Sequence, residues 1–176
     1  YKGHRNRKKP CGYKRVINKL KTEYEVVIMD TLEADDAMGI YATKFSGNVI
    51  VSPDKDMRQI PGSLYNLTEH VTVNKAEGAK WHLIQTLAGD QTDGYAGAPG
   101  VGVKRAETLF DKHGYTWETV VNAFKEKDLG EEIALQNARL AKILTVDDYD
   151  FEQRCPILWT PTSDYRIDDG AELQAS

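Results

Sequence analysis

A run of small and turn-forming residues, GYAGAPGVG (94–102), divides the sequence into two halves that must fold differently. Glycine and proline disfavour the interiors of helices and strands, so neither kind of element continues through this run. Before it, short apolar runs alternate with helical patterns; after it, the apolar residues recur only with the helical period. The sequence therefore predicts an α/β sheet core followed by a helical subdomain.

The elements of each half follow from periodicity. Strand candidates are short runs rich in β-branched or aromatic residues, at 25–29, 48–52, 63–67 and 70–73. Helical spacing of apolar residues predicts helices over 12–24, 33–45, 75–89, 103–113, 116–127 and 131–144. The polar segment 161–176 is expected to be a frayed tail.

Charge is distributed unevenly along the chain. Residues 1–21 carry nine Lys or Arg and no acid, so the formal net charge of −4 leaves −13 on the rest. A basic arm on an acidic body favours a polyanionic partner for the arm, although a solvated basic terminus is also common. The two cysteines match no metal-ligand spacing and fit free thiols in a reducing cytosol. No apolar run is long enough to cross a bilayer.

Acidic residues form three clusters next to predicted turns or strand ends: Glu33, Asp35 and Asp36; Asp54 and Asp56; Asp90 and Asp93. Any one cluster has an ordinary explanation, since acids favour helix starts and aspartate is common in loops. Seven carboxylates brought close together would repel one another and raise their pKa values unless a cation lay among them. Carboxylates suit Mg²⁺ or Mn²⁺, and two such ions, about 3.5–4 Å apart, are a common device for phosphodiester hydrolysis.

The Gly100–Val101–Gly102 turn opens a predicted helix. Backbone N–H groups at a helix start are unpaired and form a ready phosphate site. Lys104 and Arg105 lie in the first turn, where the helix dipole disfavours cations, so a nucleic-acid backbone explains them better than helix stability does. Such binding would be insensitive to base sequence and weakened by salt.

Four segments, in this order, resemble motifs of the 5′-nuclease superfamily, which includes flap endonucleases, polymerase-associated 5′-nucleases and phage exonucleases. They are YKGHR (1–5), EADD (33–36), PDKD (53–56) and GDQTDGYAGAPGVGVKRAETL (89–109). WHLIQTLAGDQTDGYAG, ARLAKIL and YDFEQRCPILW are similar to the 5′→3′ exonucleases of T-odd lytic phages. The resemblance extends from Tyr1 to about Trp159.

The resemblance implies a parallel-sheet 5′-nuclease (PIN-like) core, here partial, and a helix–three-turn–helix motif in the helical subdomain. It divides the chain into a basic helical-arch segment (1–24), a metal-site core (25–89), a DNA-binding helical subdomain (90–160) and a polar tail (161–176). It further implies a site that binds two Mg²⁺ or Mn²⁺ ions, and in the family the helix–three-turn–helix motif often binds K⁺.

The resemblance also implies residue roles. The ligands of the two ions would be Glu33, Asp35, Asp36, Asp54, Asp56, Asp90 and Asp93. Lys2 and Arg5 would hold the scissile phosphate, and the DNA-binding residues would be Tyr1, Gly100, Val101, Gly102, Lys104 and Arg105. The family has two further acids on strands that precede the arch, and no residue here matches them. We therefore expect an N-terminally truncated member of the superfamily.

Three functions are weighed on this basis. The first is a metal-dependent 5′→3′ exonuclease with flap endonuclease activity, acting on DNA in phage replication or breakdown in the host cytoplasm. The second is a non-catalytic, sequence-independent DNA-binding fragment, in which the acids are inert. The third is a phosphatase that uses Asp54 and Asp56, which leaves the Gly–Val–Gly turn unexplained.

Overall fold

The computed structural model describes residues 8–168. Its helices are α1 (Tyr13–Glu23), α2 (Ala34–Lys44), α3 (Lys75–Ala88), α4 (Val103–His113), α5 (Trp117–Lys125) and α6 (Glu131–Ala141). Its strands are β1 (Val49–Val51), β2 (Gly62–Tyr65), β3 (His70–Val73), β4 (Tyr149–Asp150) and β5 (Cys155–Pro156). Two 3₁₀ helices, Lys55–Gln59 and Val146–Asp148, complete the described elements. The three-stranded sheet lies before residue 94, whereas the described chain after residue 102 is mainly helical but also contains the short β4–β5 sheet, which the sequence did not predict.

The main sheet has the order β1–β2–β3, with β1 parallel to β2 and β2 antiparallel to β3. Ile50 lies opposite Leu64 across the parallel pair, and both side chains are buried. They pack with Met57 and Ile60 of the segment that follows β1, and with Ile143. This small core fixes the carboxyl end of β1, where Asp54 and Asp56 emerge.

The predicted strand at 25–29 is wrong. These residues carry no strand or helix, and Val26, Val27 and Ile28 are 46%, 41% and 70% exposed. A β-branched run becomes a strand only where a neighbouring strand accepts its hydrogen bonds and side chains, and no described strand pairs with this run. Helix α1 forms as predicted, but none of its residues is buried.

The larger core lies among α3, α4, α5 and α6. Leu83 and Leu87 of α3, Phe110 of α4, and Val120 and Phe124 of α5 are at most 1% exposed within it. The last described residues join this core, contrary to the expectation of a frayed tail. Backbone hydrogen bonds from Trp117 to Tyr165 and from Ile167 to Tyr115 hold them, and Ile167 is buried.

Helix α6 ends earlier than its apolar pattern suggests. The periodicity predicts helix to Leu144, whereas α6 stops at Ala141 and Lys142 is extended. The N–H group of Ile143 donates to the side chain of Gln59, and that of Leu144 donates to Asp36. These side-chain acceptors take the place of helical carbonyls, so the helix ends where the acidic cleft begins.

Gly78 lets α3 approach the backbone of Gln59. A Cβ at Gly78 would lie less than 3 Å from the Gln59 carbonyl oxygen. Replacing glycine by alanine inside a helix normally stabilises it by about 1 kcal/mol. Gly78→Ala should instead destabilise the protein by about 1–3 kcal/mol, because the backbones must separate. Urea unfolding measures this change, and unchanged or increased stability would contradict it.

Gly102→Ala is the control for that substitution. Gly102 has a negative φ, and no atom outside its immediate chain neighbours lies within 4 Å of the added Cβ. Its cost should therefore stay within about 1 kcal/mol, the effect of changing the residue at a helix N-cap.

Candidate metal centre and nucleic-acid interface

The segment after β1 presents Asp54 and Asp56. Asp54 is the N-cap of the 3₁₀ helix Lys55–Gln59, and its Oδ1 accepts the N–H of Asp56 at 3.0 Å. Asp54 is exposed, whereas Asp56 is partly buried and its side chain is 15% exposed. The cap thus directs Asp56 toward the interior and leaves Asp54 at the edge.

A tight loop after α3 presents Asp90 and Asp93. Asp90 and Tyr95 exchange backbone hydrogen bonds of 2.9 and 3.1 Å, which closes the loop. At its base Gly89 and Gly97 pack directly against each other, so a Cβ on either would lie less than 3 Å from the opposing backbone. Both have positive φ, of 67° and 65°, which favours glycine. The loop is therefore held at its base by two residues without side chains.

Asp56, Asp90 and Asp93, which we call the acidic trio, converge although Asp56 is far from the others in sequence. One carboxylate oxygen of each lies within 4.8 Å of the others. Lys55 is the nearby cation, with its Nζ 3.5 Å from Asp90 Oδ2 and 4.0 Å from Asp56 Oδ1. Lys55 thus offsets part of the negative charge of the clustered carboxylates.

The pKa values of Asp56 and Asp90 shift in opposite directions. Burial is the main reason that the pKa of Asp56 rises to about 6; Asp54, Asp90 and Asp93 raise it further, and Lys55 opposes them. Burial also acts to raise the pKa of Asp90, but hydrogen bonds from the Thr92 and Asp93 N–H groups and the charge of Lys55 outweigh it and lower that pKa. Of these two carboxyl groups, Asp56 is thus the one that gains a proton first as pH falls.

The acids at the start of α2 are held by helix capping. The Glu33 side chain accepts the N–H of Asp36, and Asp36 Oδ2 accepts the N–H of Glu33 at 3.4 Å. Asp36 Oδ1 also accepts the N–H of Leu144 at 3.1 Å. Burial raises the pKa of Asp36, although these two backbone hydrogen bonds oppose the rise. Asp36 therefore joins the start of α2 to the end of α6.

The acids at the start of α2 and two members of the acidic trio line one cleft of about 270 Å³. Its acidic lining comprises Glu33, Asp35, Asp36, Asp56 and Asp93. Of the seven acids that the sequence singled out, the structure therefore gathers three in the acidic trio, places three at the start of α2 in the lining of the cleft, and leaves Asp54 exposed and outside that lining.

Arg139 and Lys142 also line this cleft, and the sequence reasoning missed both. Arg139 is exposed and its Nε donates to the carbonyl of Trp159 at 3.0 Å. Lys142 is mostly buried and its Nζ contacts Asp148 Oδ2 at 2.7 Å. Their three-residue spacing on one helical face was the available signal, but a pair of bases near a helix end is too common to identify a cleft.

The Gly–Val–Gly turn opens α4 as predicted. Gly100 has a φ of 75° and Gly102 is the N-cap, with no side chain capping the helix start. Val101 is buried in the helical core, so its side chain anchors the turn. Lys104 and Arg105 are exposed, and Arg105 Nη1 donates to the carbonyl of Gly100 at 3.4 Å. The N–H of Val101 donates to the carbonyl of Ala98 at 3.0 Å, so the N–H groups of Gly100 and Gly102 are the ones that the turn presents beside the two cations.

Tyr1, Lys2 and Arg5 lie outside the described residues. Within residues 8–168, no helix is both long enough and apolar enough to cross a membrane.

The acidic trio suits a hard divalent cation. Its ligand atoms are carboxylate oxygens, which Mg²⁺ and Mn²⁺ prefer, and no thiol or imidazole is among them. The raised pKa of Asp56 shows that its ionised form is destabilised by burial and by the neighbouring carboxylates. A cation bound between the carboxylates would offset this destabilisation.

Comparison with known proteins gives the class. The sequence is 30% identical to the exodeoxyribonuclease of Enterobacteria phage T3, over 93% of this chain and 68% of that protein. It is 28% identical to the exonuclease of Escherichia phage T7, over 92% of this chain and 67% of that protein. No protein-family profile matches the chain.

A solved structure shares the fold. It is a flap endonuclease of bacteriophage T5 in a pseudo-enzyme-product complex with DNA and metal ions, with a TM-score of 0.60 and 17% identity. The match covers 74% of this chain and 57% of that one. The chain therefore belongs to the 5′-nuclease superfamily, a class of hydrolytic nucleases, as a relative of the phage T3 and T7 exonucleases. It spans about two thirds of the length of those two relatives.

Asp56→Asn should stabilise the metal-free protein at neutral pH. The pKa of Asp56 is 3.8 in the unfolded chain and about 6 in the folded protein. Ionisation of Asp56 therefore lowers the free energy of unfolding, and this loss grows as pH rises from 4 to 6. The amide removes this cost, which is of order 2–3 kcal/mol at pH 7. Thermal unfolding in EDTA between pH 4 and 8 should show a gain that disappears toward pH 4.

Asp111→Asn is the control, because Asp111 is exposed on α4 and does not line the cleft. An equal pH-dependent gain in this variant would show that general charge reduction, and not the acidic trio, is responsible.

Proposed function

We propose that the protein is a metal-dependent 5′→3′ exonuclease with flap endonuclease activity, which hydrolyses DNA phosphodiester bonds in phage DNA replication or degradation. The observation that carries this proposal is the acidic trio, with three carboxylates within 4.8 Å of one another, two of which line the cleft. The family membership supplies the reaction class. The setting would be the host-cell cytoplasm.

The proposed cofactors are two Mg²⁺ or Mn²⁺ ions. Asp56, Asp90 and Asp93 would hold one, with Asp54 at its rim, and Glu33, Asp35 and Asp36 across the cleft would help to hold the other. When bound, such ions activate water and stabilise the leaving oxygen. The contribution of the chain is to hold the carboxylates close together and aimed at one point.

The proposed substrate is DNA with a 5′ end or a flap, bound without regard to base sequence. The N–H groups of Gly100 and Gly102 would contact backbone phosphates, with the buried side chain of Val101 anchoring the turn between them. K⁺ is a further candidate ligand of this turn. Lys104 and Arg105 would add charge beside them. Tyr1, Lys2 and Arg5 are proposed to guide the 5′ end and to hold the scissile phosphate.

One observation favours the non-catalytic alternative. Glu33 and Asp36 already accept backbone hydrogen bonds from the α2 start and, for Asp36, from Leu144. If those bonds were their whole role, the protein would bind DNA through the Gly–Val–Gly turn and not cleave it.

Asp93→Asn separates the two functions. It should abolish cleavage of 5′-ended duplex DNA and leave DNA affinity largely intact, since it removes a cation ligand and spares the phosphate-binding turn. Cleavage is measured with Mg²⁺, with Mn²⁺ and with EDTA, and affinity by fluorescence anisotropy. Asp111→Asn is the matched control and should cleave normally. Cleavage that persists in EDTA, or no cleavage by the unaltered protein with either ion, would refute the nuclease proposal.

Lys104→Ala should weaken DNA binding equally for different base sequences. Losing one phosphate contact lowers the slope of log K against log salt concentration by about 1. Titrations at several salt concentrations measure this slope. Lys112→Ala, an exposed lysine in the last turn of the same helix, should leave the slope unchanged. Equal effects of the two substitutions would assign the binding to general charge instead of the turn.

A further inference from the structure

Two buried glutamines connect Asp56 to the end of α6. Gln85 Nε2 donates to Asp56 Oδ1 at 2.6 Å, and Gln59 Nε2 donates to Gln85 Oε1 at 2.6 Å. Gln59 and Gln85 are 6% and 4% exposed. Together they form a chain of side-chain hydrogen bonds, the glutamine relay, that reaches one member of the acidic trio from behind.

Backbone groups fix the direction of this relay. Gln59 Nε2 donates to the carbonyl of Ala141 at 2.6 Å, and Gln59 Oε1 accepts the N–H of Ile143 at 3.0 Å. A carbonyl can only accept and an N–H can only donate, so the amide of Gln59 cannot be reversed. Gln85 must then turn its oxygen toward Gln59 and its N–H toward Asp56. The backbone at the end of α6 thus fixes the orientation in which Gln85 donates a hydrogen bond to Asp56.

A donor at this point orients the carboxylate. With Oδ1 held by Gln85, the plane of the Asp56 carboxylate and the direction of its other oxygen are set. Asp90 has comparable restraints, because its Oδ1 accepts the N–H groups of Thr92 and Asp93 at 2.7 and 3.3 Å. Hydrogen bonds behind metal ligands commonly fix ligand orientation in this way, and losing one typically weakens metal binding 10–100-fold.

We propose that Gln85, directed by Gln59, is a positioning residue that aims the carboxylate of Asp56 at a divalent cation held by the acidic trio. This inference rests on the metal site of the proposed function and adds to it two residues that bear no charge. Gln85 acts on the cation only through Asp56.

A purely structural role for the relay makes a different prediction. In that case, removing any buried polar contact in the same turn of α3 would lower the stability of the protein by a similar amount. None of these substitutions would change the affinity for the cation. Thr86 provides the comparison, because it is fully buried beside Gln85 and its hydroxyl donates within α3 to the carbonyl of His82 at 2.9 Å.

The experiment measures Mn²⁺ binding to the full chain by isothermal titration calorimetry, without DNA. Gln85→Met fills a similar volume without a donor, and Gln85→Asn keeps an amide but is too short to span both partners. Both should bind Mn²⁺ about tenfold more weakly or worse. Thr86→Val should bind it as the unaltered chain does. Unfolding in EDTA reports the stability of every variant.

The outcomes are separable. Normal Mn²⁺ affinity in folded Gln85 variants overturns the relay while leaving the metal site in place, and so does equal weakening in Thr86→Val. Failure of both Gln85 variants to fold assigns the glutamines to the fold alone, which also overturns the proposal. If the unaltered chain binds no Mn²⁺, the metal site itself fails and the relay falls with it.

Discussion

Mutual repulsion of clustered carboxylates is the constraint around which this structure is arranged. Three acids lie within 4.8 Å of one another, and burial makes their charges more costly. The surrounding chain offsets the repulsion with directed donors: backbone N–H groups at Asp90, an amide at Asp56, and the N–H of Leu144 at Asp36. The donor at Asp56 comes from α3, which also carries part of the core, so the site and the fold depend on the same helix.

The end of α6 is the meeting point of these supports. Ala141 and Ile143 bind Gln59, Leu144 binds Asp36, and Asn137 one turn earlier accepts the N–H of Gly97 at the base of the acidic loop. One short segment therefore contacts all three acidic clusters, directly or through one or two side chains. A small movement of the end of α6 would therefore change the hydrogen bonds that position the acidic clusters.

The sequence predicted those parts of the fold whose cause is local. Strand β3 and helix α4 have the bounds that alternation and helical period indicate, and the turn residues mark the start of α4. The run at 25–29 has the composition of a strand but lacks a described neighbour to pair with, and composition carries no information about neighbours. The early end of α6 was missed for a similar reason, because side-chain acceptors distant in sequence capture its next two N–H groups.

The same distinction applies to the site. Turn signals and the motif resemblance indicated Asp56, Asp90 and Asp93 before their distances were known. The glutamine relay could not be foreseen, since Gln59 and Gln85 are 26 residues apart and uncharged, and only the packing of α3 against the 3₁₀ helix brings them together. Arg139 and Lys142 likewise belong to the cleft through the position of α6, a property of the tertiary structure.

The contact between Gly89 and Gly97 has a consequence for how this protein can vary. In most packed pairs, a larger residue at one position can be compensated by a smaller residue at the other. Here each glycine contacts the backbone of the other segment, so there is no side chain that a second substitution could make smaller. A substitution at either position therefore has no compensating partner. The two glycines should persist together, eight residues apart, in any sequence that keeps this loop, while the residues between them are free to change wherever they hold neither a carboxylate nor a turn.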